Sequence, residues 1–265
     1  MGLCMKVLFI GDMIGKPGRR AIREILPKVI GDYNIDIVIA NGENAAGGFG
    51  LTQDVVEELY KNHINVITSG NHIWDKKDFE EFIDDYPYLL RPANYPEITP
   101  GKGSVLYPCN SGKHIGVINL MGRVFMPPVD CPFRAADREI EKLKAKAEII
   151  IVDFHAEATS EKEALGWYLD GRVSAVLGTH THVQTADERI LPKGTAFISD
   201  VGMTGPFDSV IGISIEDAMK RFLTGIPHKF EVAKKNVWLQ SVLIDIDEGT
   251  GKSLGIQRLN IKFES

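Results

Sequence analysis

Short apolar runs, each stopped by a glycine or a polar side chain and separated by segments of helical spacing, constrain this chain more than any other feature. KVLFI (6–10) halts at Gly11-Asp12, IDIVIA (35–40) at NGEN, and INVIT (64–68) at SGNH. In the second half EIIIVDF (148–154) stops at His155, VSAVL (173–177) at GTHTH, and TAFIS (195–199) at Asp200. Runs apolar at nearly every position suit strands buried on both faces, as in parallel sheets. Between them, residues 18–30, QDVVEELYKN, RAADREIEKLKAKA (134–147) and SEKEALGWYL read as helices. Thr52 is placed to cap the second, and Ser160 with Glu163 forms a capping-box pattern for the last. Pro17 suits a first helical position, whereas Pro27 is expected to bend or break its helix. The alternation implies βαβ units and mostly parallel pairing.

The C-terminal region differs. NVWLQSVLIDID and SLGIQRLNIKF, joined through DEGTGK, read as a long antiparallel hairpin. The apolar phase shifts from Leu254 and Ile256 to Leu259, Ile261 and Phe263, which predicts a bulge near Gln257. Residues 91–132 are rich in Pro and Gly, with strands expected at 103–107 and 115–120. With no repeat, low-complexity tract or linker, one α/β domain over 1–265 is expected.

Composition narrows the function. The net charge of −6 gives no general attraction for nucleic-acid phosphates, so phosphate binding must be local and stable duplex binding is not expected. Cys4, Cys109 and Cys131 form no CxxC pair, which suits a reducing compartment and argues against a disulfide scaffold or a thiolate zinc site. No apolar run approaches the roughly 18 residues that cross a bilayer, and MGLCMKVLFIGD lacks a signal-peptide pattern. A cytoplasmic address and no membrane partner are expected. Gly2 suggests myristoylation, but Lys6 stands where that motif wants Ser or Thr; translation beginning at Met5 is an alternative start. GDMIGKPGRR is no P-loop, because three residues instead of four separate its glycines and Pro17 follows Lys16.

Ligands of open α/β sheets bind beyond the carboxyl ends of the strands. The polar residues there are Asp12, Glu43, Asn44, Asn71, His72, His155, His180 and His182. Singly each has a bland explanation: Asp and Asn are turn formers, and a lone histidine is more often a hydrogen-bonded core residue. Turn chemistry does not ask for acids, amides and imidazoles at successive strand ends. A single catalytic metal needs three or four protein ligands, so eight candidates suggest two ions sharing a bridging carboxylate. In an extended segment His180 and His182 point the same way, suited to two ions about 3.5–4 Å apart. His, carboxylate and amide ligands suit iron, manganese or zinc. His63, His114 and His228 fall at a helix end, a strand start and a loop, with no partner suggested. Arg123 and Arg134, bordering the Pro-rich segment, are candidates to meet substrate phosphate, but solvated surface charge is the preferred reading. Phe125, Met126 and Phe133 are candidates for a homo-oligomer interface or a lid.

The blocks GD (11–12), GEN (42–44), GNHIWD (70–75), DFH (153–155) and GTHTH (178–182) resemble the signature of the calcineurin-like metallophosphoesterase superfamily. That family usually opens with Asp-x-His, but position 14 is Ile; its second block usually supplies a bridging Asp, but Glu43 stands here. These departures, with VIANGENAAGGFGLT and FMPPVDCPF, resemble the YmdB-type bacterial branch. The resemblance implies a four-layer αββα sandwich with two mixed β-sheets, a dinuclear centre loaded with iron, and phosphodiesterase activity on 2′,3′-cyclic nucleotides. It implies that Asp12, Asn44 and His182 hold one ion, Asn71, His155 and His180 the other, and that Glu43 bridges them. Asn44 would take the place of the missing histidine. A hydroxide between the ions would attack phosphorus, with His72 as general acid. Alternatives are a broader phosphomonoesterase or RNA-end nuclease, and a nucleotide-sensing scaffold whose activity is incidental.

Overall fold

The computed structural model describes residues 4–109 and 112–264, so Met1 and Gly2 lie outside the described residues. The elements run β1 (Cys4–Ile10), β2 (Asp12–Met13), α1 (Gly15–Tyr33), β3 (Ile37–Asn41), α2 (Gln53–Lys61), β4 (Val66–Thr68) and the short α3 (Phe79–Phe82). Then follow β5 (Ser104–Pro108), β6 (His114–Met121), α4 (Pro132–Leu143), β7 (Ile149–His155), α5 (Thr159–Leu169) and β8 (Ala175–Thr179). The chain closes with β9 (Arg189–Ile190), β10 (Ala196–Ile198), β11 (Met203–Pro206), α6 (Ile215–Thr224), β12 (Val237–Asp247) and β13 (Ser253–Lys262).

Two mixed sheets result. In the first, β4, β3 and β1 are parallel, and β1 pairs antiparallel with β12, which carries β13 on its other edge. Where β1 ends, β11 continues along β12 with β2 beside it, completing seven strands. The second sheet has six strands in the order β5-β6-β7-β8-β10-β9, parallel from β6 to β10.

Apolar side chains divide by strand parity. Val7, Phe9, Ile37 and Ile39 face Val117, Ile151 and Leu177 between the sheets. Leu8, Ile10, Val38 and Ala40 pack outward on Ile22 and Leu26 of α1 and Val56 and Leu59 of α2. Ile118, Val152 and Val176 face α4 and α5 through Ala136, Ile140 and Leu165. The layers are therefore α, β, β, α, the architecture that the family resemblance implies.

Local differences from the sequence reading have physical causes. Helix α1 starts three residues early and runs through Pro27 to Tyr33. Pro27 is solvent-exposed, so water can satisfy the carbonyl that it leaves free. Thr52 does precede α2, although its side chain makes no capping bond. Helix α5 starts at Thr159 after Ala158, so Ser160 lies inside it and makes no capping box. Its entry is set by the adjoining Glu161 and Lys162, which turn inward to bond Arg123 N and Asp200. The ladder irregularity between β12 and β13 leaves Leu254 unpaired, not a residue near Gln257. The apolar phase changes because β13 packs by different faces along its length: Ile256 between the sheets, Leu259 and Ile261 on the outer core.

Candidate metal centre

Strands β1, β3 and β4 of one sheet and β7 and β8 of the other end at the same edge, so residues far apart in sequence converge there. Asp12, Glu43, Asn44 and His155 are buried at that edge. His155 Nε2 lies 3.1 Å from Glu43 Oε1, 3.0 Å from Asn71 Oδ1 and 3.0 Å from His180 Nδ1. Beside this group, Asn44 Nδ2 is 3.2 Å from His182 Nε2 and 3.1 Å from Glu43 Oε1. Asp12 Oδ1 is 3.7 Å from His182 Nε2. All seven predicted ligands are thus brought together, with Glu43 touching both groups.

Hydrogen bonds outside the centre fix which nitrogen of each histidine faces in. Thr179 donates its hydroxyl proton to Asp153 Oδ1 at 2.7 Å, so its oxygen accepts from His155 Nδ1 at 3.0 Å. Nε2 of His155 is left to face the centre. His182 Nδ1 donates to the Ile211 carbonyl at 2.9 Å, leaving Nε2 inward. His180 Nε2 meets Glu157 Oε2 at 3.1 Å, leaving Nδ1 inward. Two imidazole lone pairs 3.0 Å apart need a cation or a proton between them.

The HTH segment is not extended as its sequence suggests. Strand β8 ends at Thr179, and His180 and His182 both have positive φ, 101° and 64°. Non-glycine residues rarely adopt that region. The bends send the rings to separate places: His180 beside His155 and Glu157, His182 beside Asp12 and Asn44.

The electrostatics suit cation binding. Burial by itself would raise Glu43, but the charge and hydrogen bond of His155, with help from His72, bring it down to about 2. Burial would lower His155, yet Glu43, Asp12 and Asp153 override it and raise it to about 9. Burial and the repulsion of His155 hold His180 down at about 3. Burial also raises Asp12, against the attraction of His182 and His155. Asp153, beneath the histidines, is pushed by burial up to about 7 despite its hydrogen bonds to Thr68 and Thr179.

The residues fit a bound cation on three counts. Asp12 Oδ1 is buried with no hydrogen-bond partner, a costly state unless something satisfies it. Glu43, His155 and His180 offer ligand atoms within 4.8 Å of one another. A methyl group on Gly70 would collide with His155 Nε2 and Glu43 Oε2, so only glycine leaves the cradle clear.

His72 stands at the edge of this group. Its amide donates to Glu43 Oε2 at 3.1 Å, and its Nδ1 meets Asp75 Oδ2 at 2.8 Å. The ring lies edge-on to Phe49, with centroids 4.9 Å apart. Both line a pocket of about 400 Å³ whose apolar walls include Ile14, Ile211, Phe230 and Val232. Phe125, Met126 and Phe133 do not line it; Phe133 packs against Tyr168. Arg123 and Arg134 are exposed, as expected. Of the three discounted histidines only His228 departs from its reading, meeting Asp217 at 3.0 Å.

The sequence reading missed the supporting shell. Asp200 accepts from Thr181 N, Thr181 Oγ1 and Gly202 N and pairs with the buried Lys162 at 2.8 Å. Asn41 donates to Asp153 Oδ2 at 3.0 Å. Asn119 accepts from Ser69 N and donates to Ser69 O, both at 3.0 Å, pinning the turn before Gly70. Asp200, Asp153 and Asn41 all sit at strand ends, which was the available signal; Asn119 carries none.

The sequence matches the family described as YmdB-like protein over residues 8–259. It is 54% identical over 257 residues, 97% of each chain, to the 2′,3′-cyclic-nucleotide 2′-phosphodiesterase of Bacillus subtilis strain 168. A crystal structure of a hypothetical protein from Thermus thermophilus superposes with a TM-score of 0.92 at 45% identity, covering 98% of this chain and 100% of that one. A novel phosphatase from Mycoplasma pneumoniae also superposes at 0.92, with 38% identity, covering 99% of this chain and 95% of its own.

Proposed function

Because this chain belongs to the YmdB-like protein family, we propose that it hydrolyses 2′,3′-cyclic nucleotides, as the Bacillus subtilis relative does by its name. Water adds to phosphorus, the bond to the ribose 2′ oxygen breaks, and a 3′-monophosphate is left. The observation that carries this reading is the meeting of Glu43, Asn71, His155 and His180 about His155 Nε2, beside a pocket that Glu43, His180 and His72 line.

The centre is read as binding two divalent ions, iron in the first place and manganese or zinc as alternatives. Asp12, Asn44 and His182 would hold one, Asn71, His155 and His180 the other, with Glu43 between. A half-turn of the Asn44 amide presents its unpartnered oxygen where its nitrogen now lies. Such ions lower the pKa of bound water towards neutrality and neutralise charge that develops on the phosphoryl oxygens.

The chain's own residues do the rest. Asp75 holds His72 by Nδ1, which leaves Nε2 to deliver a proton to the departing 2′ oxygen, an effect typically of about 10²–10⁴-fold. Apolar walls from Ile14, Phe49 and Phe230 shed water and suit a nucleobase. Thr179, Ile211 and Glu157 keep the three inward nitrogens aimed.

The test is a panel of 2′,3′-cyclic, 3′,5′-cyclic and monoester substrates on metal-loaded protein. Turnover of 2′,3′-cyclic nucleotides to 3′-monophosphates upholds the reading. Turnover of monoesters alone would replace it with a phosphomonoesterase, and binding without turnover with a nucleotide sensor.

A further inference from the structure

Phe230, Glu231 and Val232 line both the catalytic pocket and its neighbour, a groove of about 890 Å³. Its chemistry reverses that of the chain as a whole. Lys16 and Arg20 project from the start of α1, and Lys229, Lys234 and Lys235 come from the segment between α6 and β12; Glu231 is the only acid in the lining. The entire sequence carries 36 acidic against 30 basic residues. Among the described residues none of these five cations pairs with a carboxylate, although twelve other Lys and Arg do. Five unpaired like charges on one groove repel each other, and a polyanion relieves that.

Two aromatic rings belong to the same groove. Arg20 stacks over Phe263 at 4.7 Å from its centroid, and Arg221 over Phe230 at 5.0 Å. Positive grooves interleaved with aromatic and guanidinium planes hold single-stranded nucleic acid, the cations tracking phosphates and the planes stacking on bases. A cyclic mononucleotide has one phosphate, which the metal centre takes, and offers nothing to five further cations. A ribose whose 2′ and 3′ oxygens are tied in a cyclic phosphate extends only from its 5′ oxygen, so any longer substrate must lead away from the centre in that direction.

We infer that the groove receives the nucleotides upstream of the reacting ribose, and that the substrate class is a short single-stranded RNA ending in a 2′,3′-cyclic phosphate. The inference rests on the catalytic reading above for the reaction at the terminus, but the groove is tested separately, by binding. The probe is a fluorescent RNA tetranucleotide ending in a 3′-phosphate, the product form, with the matching 3′-mononucleotide as competitor on metal-loaded protein.

The tetranucleotide is expected to bind at least about tenfold more tightly at 50 mM KCl. If three phosphates are engaged, raising KCl to 200 mM weakens it about 20-fold. Lys234→Ala combined with Lys235→Ala, both exposed, should erase most of the tenfold advantage while leaving hydrolysis of a 2′,3′-cyclic mononucleotide within about twofold. Equal affinity for the two ligands, or a double variant that weakens both alike, would overturn the inference. Salt-sensitive, variant-sensitive binding with no turnover of the 2′,3′-cyclic mononucleotide would uphold the groove and sink the catalytic reading instead.

Discussion

The carboxylate of Asp12 accepts the backbone amide of His180 at 3.0 Å, tying the start of the first sheet's β2 to the end of the second sheet's β8 across 168 residues. That bond occupies Oδ2 and leaves Oδ1 buried and unpartnered toward His182. One carboxylate thus aligns the sheet edges and supplies a charge to the centre.

The two tasks separate in Asp12→Asn. The amide oxygen can still accept from His180, so the fold should hold, but one negative charge is gone. If the centre holds two ions as proposed, elemental analysis is expected to find about one per chain in this variant. Glu43→Gln, altering the residue that touches both donor groups, should lose both. Two ions retained in Glu43→Gln would refute its bridging place.

On the proposed reading the His72 ring is no metal ligand, and since His72→Ala keeps the amide that bonds Glu43, metal content should be unchanged. For His72→Ala, kcat on a 2′,3′-cyclic nucleotide is expected to fall by about 10²–10⁴-fold. Asp75→Asn should fall less, because the ring remains and only its aim and polarity change. A substrate whose 2′ leaving group needs no proton would restore most of the His72→Ala rate; a failure to do so would remove the acid role.

Without metal, stability should drop between pH 6.5 and 9. His155 titrates at about 9 in the fold against an ordinary 6.5. The folded state therefore holds a proton that the unfolded chain releases, and the stabilisation fades as pH rises through that range. Asp153, raised to about 7 from 3.8, acts in the same direction below pH 7. His180, held at about 3, opposes this only below pH 6.5. Melting of chelator-treated protein should fall over this window. Metal should flatten or reverse the trend, since it binds the deprotonated ligands; a metal-free profile that rises toward pH 9 would contradict the assignment.

Much of this was legible in the sequence because strand ends declare themselves. An apolar run fixes the strand, its last residue fixes the edge, and Asp12, Glu43, Asn44, Asn71, His155, His180 and His182 stand at such places. What could not be read was the aim of each ring, which depends on Thr179, Ile211 and Glu157 as partners, and the left-handed bends of His180 and His182. A backbone conformation imposed by distant contacts leaves no periodicity. The shift of Ser160 into α5 has the same origin, since burying Glu161 and Lys162 outweighed a local cap.

Lys162 offers a structural test. It is almost wholly buried with Asp200, and Lys162→Met would leave a carboxylate uncompensated, which typically costs about 3–5 kcal/mol. A drop in melting temperature of about 10 °C is expected. Metal affinity should weaken as well, because Asp200 steadies Thr181 between the two histidines. A destabilised protein with unchanged affinity would show that the steadying is dispensable.

The pairing of β1 with β12, from Cys4 opposite Asp247 to Ile10 opposite Ser241, bears on how the nascent chain matures. Strand β1 has one flank without its partner until β12, more than two hundred residues later, is synthesised. At roughly 5–20 residues per second that wait is on the order of ten seconds or more. During it the growing polypeptide exposes an apolar, unpaired edge, the kind of surface on which nascent chains aggregate unless something covers it.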